Sequence, residues 1–120
     1  GSGSAQRRIE RLLSRIGMPS HLKGYQYLKT ALEICLNDME ALDGITKRLY
    51  PEVAKKHKTT KEKVEHAVRH AIESAWKRGD EREHKNLFGY CQTEGKRPTN
   101  AEFITRMADY LLHDTTSFLS

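Results

Sequence analysis

Residues 51–79 read PEVAKKHKTTKEKVEHAVRHAIESAWKRG. The pattern predicts two helices joined by a short turn. Proline is accommodated in the first turn of a helix, where the amide it lacks would have no acceptor anyway. Pro51 to His57 is therefore expected to be a short helix with Val53 and Ala54 facing inward. Lys58-Thr59-Thr60 interrupts the pattern. Thr59 followed three residues later by Glu62 is a capping box, in which hydroxyl and carboxylate each satisfy an amide left free at a helix start. The helix it opens is predicted to run to about Arg78, with Gly79 where a left-handed cap would fall. A step of about 100° per residue puts Val64, Ala67, Val68, Ala71 and Ala75 on one arc. Glu62, Lys63, Glu65, His66, Arg69, His70 and Glu73 fall on the opposite arc. A short helix, a three-residue turn and a long helix make up helix-turn-helix grammar, whose second helix enters the major groove of duplex DNA.

The charge distribution points the same way. The 120 residues carry 21 Lys+Arg against 16 Asp+Glu, a net charge of +5. Lys47 to Arg78 holds ten Lys/Arg and four Asp/Glu, so this segment alone is +6 and the remainder sums to −1. His57, His66 and His70 lie in it too. A confined positive field is the footprint of a nucleic-acid contact or of a solvated basic face. The exposed arc is chemically mixed, because Glu65 sits inside the basic patch. Glutamate can accept from the cytosine amino group and arginine can pair twice with guanine. An intrahelical surface pair, Glu65 with Arg69 or Glu62 with His66, is the alternative use of that carboxylate. Thr59, Thr60 and Lys61, at the turn and first helical turn, are candidates for phosphate contact, because free backbone donors and a positive dipole end lie there. Lys96 and Arg97 precede another helix start, where phosphate contact and plain solvation are both open.

Outside this segment the apolar spacing is also helical. Ile9, Leu12, Leu13 and Ile16 form one stripe of a helix from Gln6, stopped by Gly17-Met18-Pro19. A second helix is predicted from Leu22 to about Asn37, with Tyr25, Leu28, Leu32, Cys35 and Leu36 inside. A third runs from about Asp38 to Leu49 and uses Leu42, Ile45 and Leu49. Asp80 to Phe88 is a short helix, and Gly89 to Pro98 is a loop. Thr99 and Glu102 form a second capping box before a last helix carrying Phe103, Met107, Leu111 and Leu112. The expected fold is all-α, a compact domain of six to seven helices. Its boundaries are predicted at 6–114, with 1–5 as a linker or expression scar and 115–120 as a flexible tail.

The same composition argues against other chemistry. No apolar run approaches the roughly 18 residues of a membrane span, and no apolar signal core opens the chain, so a cytoplasmic protein is expected. Two cysteines, Cys35 and Cys91, rule out a disulfide-rich scaffold and a four-cysteine zinc site. Cys91 lacks matched triad partners, and no glycine-rich phosphate loop is present. His66 and His70 have metal-chelating spacing, but two ligands are not a site. Trp76 is expected to be a buried anchor against Leu87 or Phe88. Neither enzymatic activity nor a cofactor or metal is expected.

Val64-Glu65-His66-Ala67-Val68-Arg69-His70-Ala71-Ile72-Glu73-Ser74-Ala75-Trp76 resembles the recognition helix of the sporulation stage zero protein A family, the sporulation master response regulators of endospore-forming bacteria. Ile16-Gly17-Met18-Pro19-Ser20-His21-Leu22-Lys23-Gly24-Tyr25, the stretch from Ile45 to Lys56, Leu87-Phe88-Gly89-Tyr90, and the stretch from Arg97 to Ile104 are similar to further blocks of that family, in its order. The resemblance spans about Ile9 to Leu112. It implies an all-helical effector domain of a two-component response regulator that binds promoter DNA, often as tandem dimers, with a polymerase sigma factor as protein partner. It implies that Lys63, Glu65, His66, Arg69 and His70 lie on the DNA-facing side, where they are the candidates for base contact. Family members usually carry Arg at the positions of Lys63 and His66. The family's phosphoacceptor receiver domain has no counterpart in these residues. Two other classes remain open at this point: a protein-interaction module docking an acidic partner such as a polymerase subunit, and an RNA-binding helical domain.

Overall fold

The computed structural model describes the backbone of residues 2–89 and 96–119 and the side chains of 4–89 and 96–113. Ile9, Leu12 and Leu13 bury the inner side of α1 (Ser2–Arg15), which starts four residues ahead of the expected Gln6. Ile16 carries the stripe into the turn, and Gly17 ends the helix in the left-handed region (φ +84°). The second helix, α2 (Lys23–Asn37), buries Tyr25, Leu28, Leu32 and Cys35, with Leu36 half-buried.

The expected third α-helix is not one. Met39–Gly44 is a 3-10 turn and Ile45–Leu49 is a π-helical turn. Asp38 directs this outcome. Its carboxylate accepts from the Glu40 amide at 3.1 Å and pairs with the Arg48 guanidinium ten residues on. The Tyr50 amide then reaches back to the Ile45 carbonyl, closing the wide turn that puts Leu49 in the core. An apolar spacing of three and four cannot distinguish these tighter and wider windings from an α-helix.

Helix α3 (Tyr50–Lys56) has proline in its first turn and buries Val53 and Ala54. Lys58 then takes a left-handed conformation (φ +55°), which costs a side-chain-bearing residue about 1–2 kcal/mol. That twist lets the Thr59 amide return to the Ala54 carbonyl at 2.9 Å. Thr59 is thereby tied to the helix behind it, and the expected Thr59–Glu62 box does not form. Thr60 is the cap instead, extended in backbone and accepting from the Lys63 amide through its hydroxyl at 3.2 Å. The long helix, α4 (Lys61–Arg78), ends where predicted.

Gly79 is not a left-handed cap. Its backbone is extended (φ −77°, ψ 170°), and glycine is needed there for a different reason. A Cβ on Gly79 would sit 2.0 Å from the Ile16 carbonyl oxygen and 2.5 Å from His84 Nε2. The left-handed glycine cap belongs to α5 (Glu81–Phe88), which Asp80 opens by accepting from the Arg82 amide and Gly89 closes at φ +85°. Residues 90–95, including Cys91 and most of the expected loop, lie outside the described residues. The second capping box forms as predicted: Thr99 Oγ1 accepts from the Glu102 amide at 3.1 Å, and the Thr99 hydroxyl donates to the Glu102 carboxylate at 3.1 Å. It opens α6 (Asn100–Leu119), which buries Phe103, Met107 and Leu111, with Leu112 half-buried. No strand occurs among the described residues, and the fold is all-α.

The helices close around Trp76. Its ring stacks on His84 with centroids 4.1 Å apart and meets Phe88 edge-on at 5.0 Å, the anchoring expected of it. His84, fully buried, donates from Nε2 to the Ile16 carbonyl at 2.9 Å and so ties α5 to the end of α1.

Cys35 is buried in the same core. Burial first, and then the nearby Asp38 and Glu52 carboxylates, push its thiol up from 9.0 to about 11. An acid whose folded value is raised stays protonated in the fold and ionises in the open chain. Its contribution to stability is therefore complete below about pH 9 and is lost as pH rises towards 11. Burial raises Tyr25 and Tyr50 as well, in the same sense. Urea melts at about pH 8 and about pH 10.5 should differ by about 2 kcal/mol on account of Cys35. A Cys35→Ala variant should show a flatter alkaline limb, and an identical limb would remove Cys35 as its cause.

Candidate nucleic-acid interface

Helices α2, α3 and α6 pack against α4 and leave its outer side uncovered. On one flank α2 crosses it so closely that a Cβ on Gly24 would lie 2.1 Å from the Ala67 carbonyl oxygen. On the other flank the start of α6 reaches it, with Asn100 Nδ2 donating to the Glu65 carbonyl at 3.0 Å. Val64, Val68, Ala71, Ile72, Ala75 and Trp76 face the core, as the small-residue arc requires.

The outer side carries two stripes with different electrostatics. Lys63, His66 and His70 follow one another at three- and four-residue steps and are all exposed. They adjoin clefts shared with the start of α2, where Lys23 also lies. The parallel stripe is Glu62, Glu65, Arg69 and Glu73. Here Arg69 forms an ion pair with Glu65 one turn earlier. An exposed intrahelical pair of this kind is worth only about 0.3–0.5 kcal/mol, so it aims the guanidinium without withholding it from a stronger partner. Glu65 is half-buried and Arg69 exposed, and both border a cavity of about 360 Å³ with Tyr50, Arg97, Thr99 and Asn100. Tyr50 is buried there. Its hydroxyl is pushed up by burial and by the Glu65 charge, against a hydrogen bond with Asn100 and the Arg69 charge.

The expected phosphate contacts divide into two places. Thr59 is half-buried, Thr60 caps α4, and Lys61 is exposed at its first residue. With the Lys63 amide capped, the Thr60, Lys61 and Glu62 amides are those the helix leaves without an acceptor. Arg97 lies beside the acidic stripe instead, 3.7 Å from the Glu73 carboxylate, and Lys96 before it is exposed. Thus Lys63, His66, Arg69 and His70 share one exposed surface with Lys61, whereas Arg97 approaches it from the side.

The interface also holds residues that the one-helix reading missed. Lys23 arrives from α2, and Tyr50 and Asn100 from α3 and α6; nothing in their local sequence announces proximity to α4. His57 is half-buried and lines the same cleft as Lys63 and His66. Its Nε2 hydrogen-bonds Thr30 Oγ1 at 2.7 Å and its ring meets Tyr27 edge-on at 5.0 Å, so it fastens the turn to α2. Among the described residues, no third His, Cys, Asp or Glu joins His66 and His70 in a metal-sized group, and no helix is long and apolar enough to cross a membrane.

Over residues 9–111 the chain matches a family model described as sporulation initiation factor Spo0A C terminal.

Proposed function

Because the chain belongs to the sporulation initiation factor Spo0A C-terminal family, we propose that it regulates bacterial transcription by reading duplex promoter DNA through a helix-turn-helix. In this reading α3 crosses the backbone and α4 enters the major groove. Lys63, Glu65, His66, Arg69 and His70 meet base edges. Thr59, Thr60 and Lys61 position the helix on phosphates, as Lys96 and Arg97 do from beside it. The observation that carries the reading is the outer side of α4: exposed, basic along one stripe, and held by neighbours only at its flanks. Glu65 paired to Arg69 fits it well. A carboxylate close to phosphates is a liability, whereas one turned towards a base edge can accept from cytosine while its arginine reads guanine.

Further parts of the proposal follow from family membership. The bound form is a tandem pair of domains on adjacent boxes, and a sigma factor of RNA polymerase is the protein partner. Both place the protein in the bacterial cytoplasm.

The test is binding to a pool of genomic duplex fragments and to RNA of equal length, each at two salt concentrations. Selective retention of a subset of duplexes is expected. Log K should fall linearly with log salt, with a slope of about −0.9 for each phosphate neutralised. RNA bound as tightly as the best duplex would favour an RNA-binding domain. Salt-independent association, or none with any fragment, would overturn nucleic-acid reading altogether.

A further inference from the structure

The Glu65 carbonyl sits on α4 where the reading surface meets its flank, and within the helix ladder it accepts the Arg69 amide. A carbonyl oxygen has a second lone pair, and Asn100 fills it from 35 residues away, with Nδ2 donating at 3.0 Å. Asn100 is the first residue of α6, but α6 does not need its side chain, because Thr99 and Glu102 cap that helix. The same side chain acts on the hydroxyl of Tyr50, the first residue of α3, which lines the same cavity. One amide therefore joins the helix after the turn to α6, beside the start of the helix before it.

The peptide groups joined at the Glu65 carbonyl lie directly beneath the Glu65 and Arg69 side chains. Fixing that carbonyl fixes the rotation of α4 about its own axis. Gly24 limits how closely α2 and α4 approach, but it is a contact without direction. The Asn100 bond is directional and holds on the opposite flank. A two-pronged base contact tolerates only about 0.5 Å or 10–20° of error in the group that makes it.

We propose that Asn100 is a positioning residue for sequence reading: by bonding the Glu65 carbonyl it sets the rotation of α4 and with it the aim of Arg69. The role in reading rests on the DNA-binding function proposed above. The bond itself is independent of that function and is tested separately.

Two measurements on Asn100→Ala and Tyr50→Phe decide the matter. The first is amide hydrogen exchange in the free protein. Exchange at Arg69 and His70 should accelerate about tenfold in Asn100→Ala, with α1 amides unchanged, as expected when one part of a structure opens alone. The second is affinity for the preferred duplex and for a random duplex at one salt concentration. Asn100→Ala should weaken the preferred duplex about tenfold and the random duplex less than about twofold, because phosphate contacts carry the latter. Tyr50→Phe should shift the ratio in the same direction by less, and the double variant should fall short of the product of the single effects. It also keeps the test open should Asn100→Ala fold poorly.

Equal losses on both duplexes, tracking stability, would reduce Asn100 to a structural residue and overturn the proposal, as would an unchanged ratio. If the wild-type chain prefers no duplex, the DNA-reading function fails and exchange alone decides. Acceleration confined to α4 would still support Asn100 as the residue that positions this helix. Uniform exchange across the domain would refute it.

Discussion

Gly24→Ala is expected to destabilise the domain by about 3 kcal/mol, at the upper end of what an overfilled core costs. Gly24 is in the first turn of α2, where alanine would ordinarily be favoured over glycine by about 1 kcal/mol. Sterics reverse that preference. The added methyl would stand 2.1 Å from the Ala67 carbonyl oxygen, 2.8 Å from the Ala67 carbonyl carbon and 2.7 Å from Ala71 Cβ. The first two are backbone atoms in the middle of α4 and cannot swing aside. The helices must separate by about 1 Å, and close packing along their whole crossing is lost with that movement. Urea midpoints measure the effect. Gly44→Ala is the control, because its Cβ would meet only Arg48 Cβ at 3.5 Å. A Gly24→Ala protein as stable as the wild type would mean that α2 and α4 do not cross as closely as described. In the fraction that stays folded, sequence-specific binding should fall further than binding to random duplex, because α4 will have moved on its support.

The next largest effect is expected at Arg69. Arg69→Ala should cost about 1–3 kcal/mol on the preferred duplex, about 5- to 150-fold in affinity, and should relax the preference at one base position. The exposed Glu65–Arg69 pair adds little to the fold, so stability should hardly change and the loss belongs to recognition. Lys61→Ala should differ in kind. At the first residue of α4, beside amides the helix leaves free, Lys61 is placed for phosphate, so its loss should weaken all duplexes alike and make the salt slope shallower by about 1. Parallel titrations of both variants against preferred and random duplexes separate the two behaviours. Equal losses on both duplexes for both variants would sink the division into base and phosphate contacts.

Local chain chemistry made much of this protein legible. The extent of α4, the proline-started α3, the Asp80–Phe88 helix and the Thr99–Glu102 box each depend on residues within four positions of one another. Hydroxyls, carboxylates and apolar spacing act over that distance through the helix ladder itself. The exposure of Lys63, His66, Arg69 and His70 followed from the same periodicity, because the small apolar arc of α4 admits only one way to face the core.

The misjudged details share a different cause. Thr59 and Thr60 are equivalent candidates for a cap. The left-handed Lys58 and the Ala54 carbonyl commit Thr59 to the helix behind, leaving Thr60 to open the one ahead. From Asp38 to Leu49, the apolar spacing suits an α-helix, but the Asp38–Arg48 pair and Gly44 (φ −143°, ψ 62°) divide it into a tight turn and a wide one. Gly79 lies where a cap is common, yet its lack of a side chain answers to Ile16 and His84.

By itself, then, the sequence determined the all-helical class, the turn between α3 and α4 and the outward residues of α4, because short-range backbone hydrogen bonding and amphipathic spacing decide those within a few residues. Only the tertiary structure decided which glycines are close crossings, which threonine caps, and that Lys23, Tyr50 and Asn100 meet at α4. Those outcomes require backbones dozens of residues apart to come within van der Waals or hydrogen-bond distance, and no local pattern encodes where a distant carbonyl will lie.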